Sequence, residues 1–250
     1  RWKEGESVPM QEGLWYSDNR MTANVMCDFG PEALVEMARK LKIESALEPV
    51  PALCLGVSDI SLTEMVGAYT TFANLGTYSQ PVFIKKITDK KGNVLATFGT
   101  NQQEALAENV AYTTNEMMKG VIDKGTGAKL RSRYNLKTMA ISGKTGTTQD
   151  QRDAWFIGYN SKIVAGVWVG ADKPQVHFSD LNYGQGAILA MPIWAKFYQK
   201  LSASALGVNY TNQEFPFEDD QDCELYSNGN LIDRLFRKSE IESDEIGIKK

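Results

Sequence analysis

The stretch MAISGKTGTTQDQRDAWFIGY, residues 139–159, sets Lys144 and three threonines, Thr145, Thr147 and Thr148, around Gly143 and Gly146, directly after an apolar run. Such a cluster reads either as a phosphate-binding loop or as one wall of a serine acyl-transfer site. A phosphate loop of the G-x-x-x-x-G-K type needs a glycine at position 138, so that several backbone N–H groups curl round the anion. Thr138 stands there, and the MAIS that follows has the character of a strand rather than a glycine-rich turn. No helix follows either, because QDQRDAWFIGY returns at once to a strand pattern. The phosphate reading loses its geometry. A Lys-Thr-Gly on a strand at a cleft edge offers an ammonium, hydroxyls and a backbone free of side-chain bulk. That set suits an extended peptide ending in a carboxylate. The N–H of the residue after the glycine can also point into the cleft as an oxyanion donor.

A second element lies near the start, in LWYSDNRMTANVM, residues 14–26. Ser17-Asp18-Asn19 precedes a helical pattern and sits at its mouth, where a hydroxyl or an amide ordinarily serves as a cap. The order of the two triplets changes that reading. Ser-Asp-Asn followed by Lys-Thr-Gly matches two of the three elements of penicillin-binding proteins and β-lactamases. The third, Ser-x-x-Lys, is absent. No serine in the sequence has a lysine three residues on, and Ser17 comes closest with Arg20, which never loses its proton and cannot be a base.

The rest of the chain supplies the frame. DFGPEALVEMARKLKI predicts a helix from Pro31, with Leu34, Val35, Ala38 and Leu41 on one face. SDISLTEMVGAYTTFANLGTY predicts a second, opened by a Ser61–Glu64 capping box and stopped by Gly76. PVFIKKITDKKGNVLATF reads as a hairpin around DKKGN, and 108–122 as a third helix, followed by the loop DKGTGAKLRSRYNL. Three strands, TMAISGKTG, DAWFIGYN and KIVAGVWVGAD, then follow closely, and the short link NSK forces the last two to be antiparallel. GQGAILAMPIWAKFYQKL reads as a helix apolar on most sides, hence buried against the sheet. The fold class expected is α/β in the mixed α+β sense: an antiparallel sheet flanked by helices. Two regions are expected, a domain over 1–206 and an acidic, partly flexible C-terminal extension over 207–250.

With both triplets and these segments in place, the chain resembles the C-terminal part of the transpeptidase domain of a class A penicillin-binding protein, a bifunctional murein synthase. The resemblance also rests on SLTEMVGAYTTFANLGTYSQPVFIKKITDKKGNVL, TTNEMMKGVIDKGTGAKL and YGQGAILAMPIWAKFY. It implies cross-linking of peptidoglycan stem peptides through a serine acyl-enzyme that β-lactam antibiotics trap. The nucleophile would lie upstream of Arg1, which makes 1–206 a partial domain whose sheet is incomplete at its N-terminal side, in a parent that also carries a glycosyltransferase and a membrane anchor and works on the outer (periplasmic) face of the cytoplasmic membrane. Ser17 is then the hydroxyl that relays a proton to the leaving group, and Asn19 holds the substrate amide. Lys144 favours deprotonated Ser17 and attracts the substrate carboxylate. Thr145 and Thr147 bind that carboxylate, the Thr147 N–H gives half of the oxyanion hole, and Gly146 and Thr148 complete the substrate-binding set. Asp18 gives the Ser-Asp-Asn form typical of class A β-lactamases. A β-lactamase, or a binding module that keeps the pocket without reacting, is the alternative.

Composition is compatible with this and excludes other classes. A net charge of −4 over 250 residues argues against nucleic acid as a partner. No run of about 18 apolar residues is present. The start, RWKEGESVPM, has no signal-peptide core and no initiating Met, so a cut into a longer protein is expected. Cys27, Cys54 and Cys223 are isolated, with His177 the only histidine, so neither a structural zinc site nor any cofactor is expected; Cys27 and Cys54 read as small residues in apolar surroundings. Asp153 and Trp155 are expected to support the site from behind. His177 reads as solvated and Arg131 and Arg133 as a solvated loop, while Tyr183, Gly184 and Gln185 sit at a helix entrance on the cleft rim.

Overall fold

A computed structural model describes residues 8–148, 151–171, 173, 175–211 and 213–216. Helix α1, Met10–Tyr16, leads through Ser17 and Asp18 into α2, Asn19–Lys40. Gly30 interrupts α2 with non-helical backbone (φ 76°, ψ 160°), so the helix expected from Pro31 is its second half. A 3-10 turn, Pro51–Leu55, precedes α3, Leu62–Ala73. The Ser61–Glu64 capping box is present, and the Glu64 carboxylate also takes bonds from the Ser45 N–H and hydroxyl, both 2.7 Å. Burial opposes ionisation of Glu64, yet the bonds from Ser45 and Ser61 hold its pKa down to about 2.

Strands β1, Thr77–Ser79, and β4, Gln102–Glu104, form a small antiparallel pair that the sequence did not suggest. Between them stands the expected hairpin, β2, Lys86–Thr88, and β3, Val94–Thr97, its turn closed by Asp89, which accepts from the N–H of Lys91 and of Asn93, both 2.8 Å. Helix α4, Glu108–Asp123, and the short α5, Lys129–Ser132, lead into the main sheet. That sheet has the order β5, Ser142–Thr147, β6, Ala154–Tyr159, and β7, Val164–Val169, antiparallel throughout. The short α6, Leu181–Gly184, helix α7, Ala190–Ser202, and a single turn α8, Val208–Thr211, follow. None of the described helices is long and apolar enough to cross a membrane.

The core forms where α7 lies on the sheet. Trp194, fully buried, stacks on Tyr198 at 4.6 Å and meets Phe156 edge-on at 5.3 Å. Its indole N–H donates to the Gly158 and Ala165 carbonyls, and a Cβ on Gly158 would approach its ring to 2.7 Å, so β6 needs glycine there. Helix α7 is nevertheless two-faced. Ile193 and Phe197 are 52% and 46% exposed, which corrects the expectation of a helix buried on most sides.

Two buried asparagines join the elements. Asn115 of α4 donates to the Phe72 carbonyl (2.8 Å) and accepts from the Tyr159 hydroxyl (2.7 Å), while the Ser142 hydroxyl donates to the Asn115 carbonyl (2.9 Å). Asn160 donates to the Tyr198 hydroxyl (2.9 Å) and the Tyr210 carbonyl (2.8 Å). The second network, with Phe215 packed edge-on against Tyr159 at 5.8 Å, carries the compact unit through Phe215 rather than ending it at 206. Most of the expected acidic extension, with Cys223, lies outside the described residues. Cys27 is exposed on α2, contrary to expectation, and Cys54 is half-buried; both are free thiols.

Substitution at two of the buried polar residues, Asn115 and Thr71, should have opposite effects. Asn115→Leu takes the amide from both groups, leaving the Tyr159 hydroxyl to the Met118 sulfur (3.5 Å) and the Phe72 carbonyl to the Leu75 N–H (3.2 Å), and should destabilise by about 2 kcal/mol. Thr71 has a buried hydroxyl with no hydrogen-bond partner among the described residues, so Thr71→Val should be neutral or stabilising by about 1 kcal/mol. Urea denaturation of the two variants checks both signs.

Candidate functional site

Ser17 is the C-cap of α1 and adopts the left-handed conformation, φ 53°, ψ 49°. The bonds of a helix C-terminus impose it: the Ser17 N–H donates to Leu14 (3.3 Å) and the Asp18 N–H to Gly13 (2.9 Å). Glycine is the ordinary residue at such a position, since a side chain there costs roughly 1–2 kcal/mol. A hydroxyl is kept where it is conformationally unfavourable, which points to a use for it. The cap of α2 is neither Ser17 nor Asn19 but Asp18, whose carboxylate accepts from the N–H of Arg20 (2.9 Å) and of Met21 (3.2 Å). Its pKa is lowered, first by the bond from the Arg20 side chain. Asp18 therefore releases its neighbours from capping. Ser17 and Asn19 are both exposed on either side of it.

On β5 the strand alternation puts Lys144 and Thr145 on opposite faces. The Lys144 ammonium donates to the Ser17 hydroxyl and to the Thr145 carbonyl (3.0 Å). No carboxylate among the described residues is paired with it. Burial therefore acts alone and lowers its pKa from 10.5 to about 8. At pH 7 the group is still mainly ammonium, with a neutral fraction of about a tenth. Strand β5 is also an edge of its sheet among the described residues, leaving one side for an extended peptide to pair with.

The remaining threonines have definite places. The Thr147 hydroxyl accepts from the Gly186 N–H (3.1 Å), and a Cβ on Gly186 would approach the Gly146 carbonyl to 2.4 Å, so the stretch before α7 lies directly on the strand. The Thr148 hydroxyl is engaged by Asp153, donating to its carboxylate (3.2 Å) and accepting from its N–H (2.9 Å). Asp153 also accepts from the Trp168 indole (2.8 Å) and so clips β5, β6 and β7 together at one end, as the sequence led us to expect. Arg131 is not a solvated loop residue. It pairs with Asp123 at 2.8 Å and donates to the Met139 carbonyl at 2.6 Å, tying the segment before β5 to α4. Arg133, His177 and Tyr183 are exposed.

Sequence reading missed Trp15. Its indole donates to the Met117 carbonyl of α4 (2.9 Å), and the Lys124 ammonium lies 4.6 Å from its ring centre. A Cβ on Gly120 would stand 2.0 Å from the indole nitrogen, so α4 has a notch cut for this ring. The signal was a large aromatic two positions before Ser17 and a glycine inside an otherwise regular helix pattern.

A family model described as the penicillin binding protein transpeptidase domain matches residues 1–193. Penicillin-binding protein 1A of Aquifex aeolicus is 33% identical over 213 residues, covering 85% of this chain and 28% of the relative. Penicillin-binding protein 2D of Bacillus subtilis is 34% identical over 196 residues, covering 77% and 28%. The chain thus spans less than a third of either relative's length. In fold it is similar to penicillin-binding protein 1A from Haemophilus influenzae, with TM-score 0.72 at 20% identity over 87% of this chain and 39% of that one. It is similar too to the PonA1 protein from Mycobacterium tuberculosis in complex with penicillin V, with TM-score 0.68 at 24% identity over 88% and 62%.

Two outcomes follow from the geometry of Ser17 and Lys144. Ser17→Gly and Ser17→Ala both remove the hydroxyl, but only glycine relieves the left-handed backbone, so the glycine variant should be the more stable by about 1 kcal/mol in thermal denaturation. Titration of Lys144, followed by the NMR shift of its Cε, should show a midpoint near 8. Because the folded value lies below the unfolded one, this lysine makes folding stability rise as pH climbs from about 8 towards 10.5.

Proposed function

The chain belongs to the transpeptidase domain family of penicillin-binding proteins, and from that premise we propose that it is the substrate-binding half of a peptidoglycan D,D-transpeptidase. One observation carries the reading. The Lys144 ammonium meets the Ser17 hydroxyl across 127 positions of sequence, so the two motifs form one site.

The nucleophilic serine is supplied by a Ser-x-x-Lys segment outside these 250 residues, in a parent that also carries a glycosyltransferase and a membrane anchor. Its hydroxyl gives its proton to the lysine of that segment as the oxygen bonds to the carbonyl carbon of a D-Ala-D-Ala stem peptide, and the carbonyl electrons move onto the carbonyl oxygen. The Thr147 N–H and the N–H of the nucleophile take up that negative charge. When the tetrahedral species collapses, the C–N bond breaks and D-alanine leaves with a proton relayed by Ser17. An amine of a second stem then attacks the acyl ester, forming the cross-link and releasing the serine. Lys144, Thr145 and Thr147 hold the terminal carboxylate, Asn19 holds the amide, and Gly146 lets the peptide approach β5. Thr148 acts at one remove by holding Asp153. A β-lactam, similar to the dipeptide, stops at the acyl-enzyme. The site lies on the outer face of the cytoplasmic membrane, and the 250-residue chain alone does not react.

Labelling of the full-length protein with a fluorescent penicillin, followed by peptide mapping, tests this. The expected result is a stable adduct on a serine outside the chain. Ser17→Ala and Lys144→Ala should each slow its formation by about 10²–10³-fold in a protein that stays folded. Rapid nitrocefin turnover would instead indicate a β-lactamase, and the absence of an adduct on a folded protein would indicate a binding module.

A further inference from the structure

Thr126, in the loop after α4, touches both halves of the site. Its N–H donates to the Trp15 carbonyl (3.0 Å), two residues before Ser17. Its hydroxyl lies 2.8 Å from the hydroxyl of Thr145, the residue after Lys144. The Ser17 loop and the Lys144 strand are far apart in sequence and approach each other from different elements. Thr126 thus spans from one to the other, in addition to the Lys144–Ser17 bond itself.

The contacts are of a kind that fixes position. The carbonyl that Thr126 holds belongs to the residue whose ring is locked in the notch of α4 at Gly120. A Cβ on the preceding Gly125 would stand 2.1 Å from the same carbonyl oxygen, so the approach is as close as backbone permits. On the strand side, the Lys144 ammonium bonds the Thr145 carbonyl (3.0 Å) on one hand and Ser17 on the other. Any turn of Thr145 therefore shifts the ammonium against Ser17.

The hydroxyl pair has a further consequence. A hydroxyl has one hydrogen to give and two lone pairs to receive. For Thr145 to donate to a substrate carboxylate, it must accept from Thr126, and Thr126 is then the donor of the pair. We propose that Thr126 is a positioning residue for this site: it holds the Ser17 loop and the Lys144 strand in register and presents the hydroxyl hydrogen of Thr145 to the substrate carboxylate. The second part rests on the function proposed above, whereas the first stands on the geometry alone.

Thr126→Val removes the hydroxyl at nearly constant shape, and Thr126→Ser keeps it and removes the methyl. Both are made in the full-length protein, with thermal denaturation confirming that each folds. The valine variant should be acylated by penicillin about tenfold or more slowly, the value of one lost hydrogen bond. The midpoint of Lys144 should also move away from its wild-type value in the Cε titration. The serine variant should restore both readouts. Gly125→Ala, which keeps the Thr126 hydroxyl but displaces the Trp15 carbonyl, should slow acylation as well.

A valine variant with wild-type acylation and an unmoved Lys144 midpoint overturns the inference. So does a serine variant as impaired as valine, because the methyl rather than the hydroxyl would then matter. If the wild-type protein takes no penicillin at all, the transpeptidase reading fails, and the Lys144 titration in Thr126→Val still decides whether Thr126 holds the two motifs together.

Discussion

The site depends on a buried joint beside it, where Asn115 holds α4 against α3 and the sheet. Its amide bonds the Phe72 carbonyl of α3 and the Tyr159 hydroxyl of β6, and its own carbonyl receives the Ser142 hydroxyl of β5. Each bond contributes roughly 1 kcal/mol net, but breaking one leaves a buried group unpaired at roughly 1–3 kcal/mol. The network thus acts more through the penalty for disruption than through its own strength, which makes the position of α4 unique. Trp15 and Thr126 then read that position out to the two motifs. Ser142, only two residues from Lys144 and on the same face of β5, belongs to both the joint and the strand of the site.

At Lys144 two effects compete, and the outcome explains the choice of residues. Burial favours the neutral amine, and a carboxylate neighbour would reverse this by Coulomb attraction. The lysine has instead a hydroxyl and a carbonyl, both uncharged acceptors, and its pKa falls to about 8. A carboxylate in that place would restore an ordinary pKa and also repel an anionic substrate. With neutral acceptors the group keeps most of its charge at pH 7 and yet lies close to neutrality, which is what the proposed function asks of it: to attract an anion and to trade a proton with Ser17.

How much of this was legible in the sequence follows from the range of the interactions. The strands β5 to β7 and helices α3 and α4 were readable because alternation, periodicity and a capping box are local patterns. Lys144 and Ser17 were readable as members of triplets whose order is specific, though their contact is a property of the fold. The β1–β4 pair was not readable, since its three-residue strands join segments about 25 positions apart and bury little. Nor could Arg131 be recognised, because its acceptors Asp123 and Met139 come together only when the chain turns back at α5. The half-exposed face of α7 was missed for a different reason. A helix pattern apolar on most sides says what burial would suit it, while the described residues cover only the side facing the sheet.

Asp18 shows how three adjacent residues divide between folding and chemistry. A helix beginning at Asn19 needs a cap, and all three residues of Ser-Asp-Asn are of types that can provide one. The carboxylate at the middle position takes the N–H groups of Arg20 and Met21, so neither the hydroxyl before it nor the amide after it is required by the helix. The C-terminal bonds of α1 then turn Ser17 left-handed and bring its hydroxyl to Lys144. A triplet whose middle residue could not cap would draw Ser17 or Asn19 into that task, away from the cleft. The middle position is therefore best filled by a residue that caps α2 itself and leaves its neighbours free. That requirement comes from the helix terminus and not from the reaction.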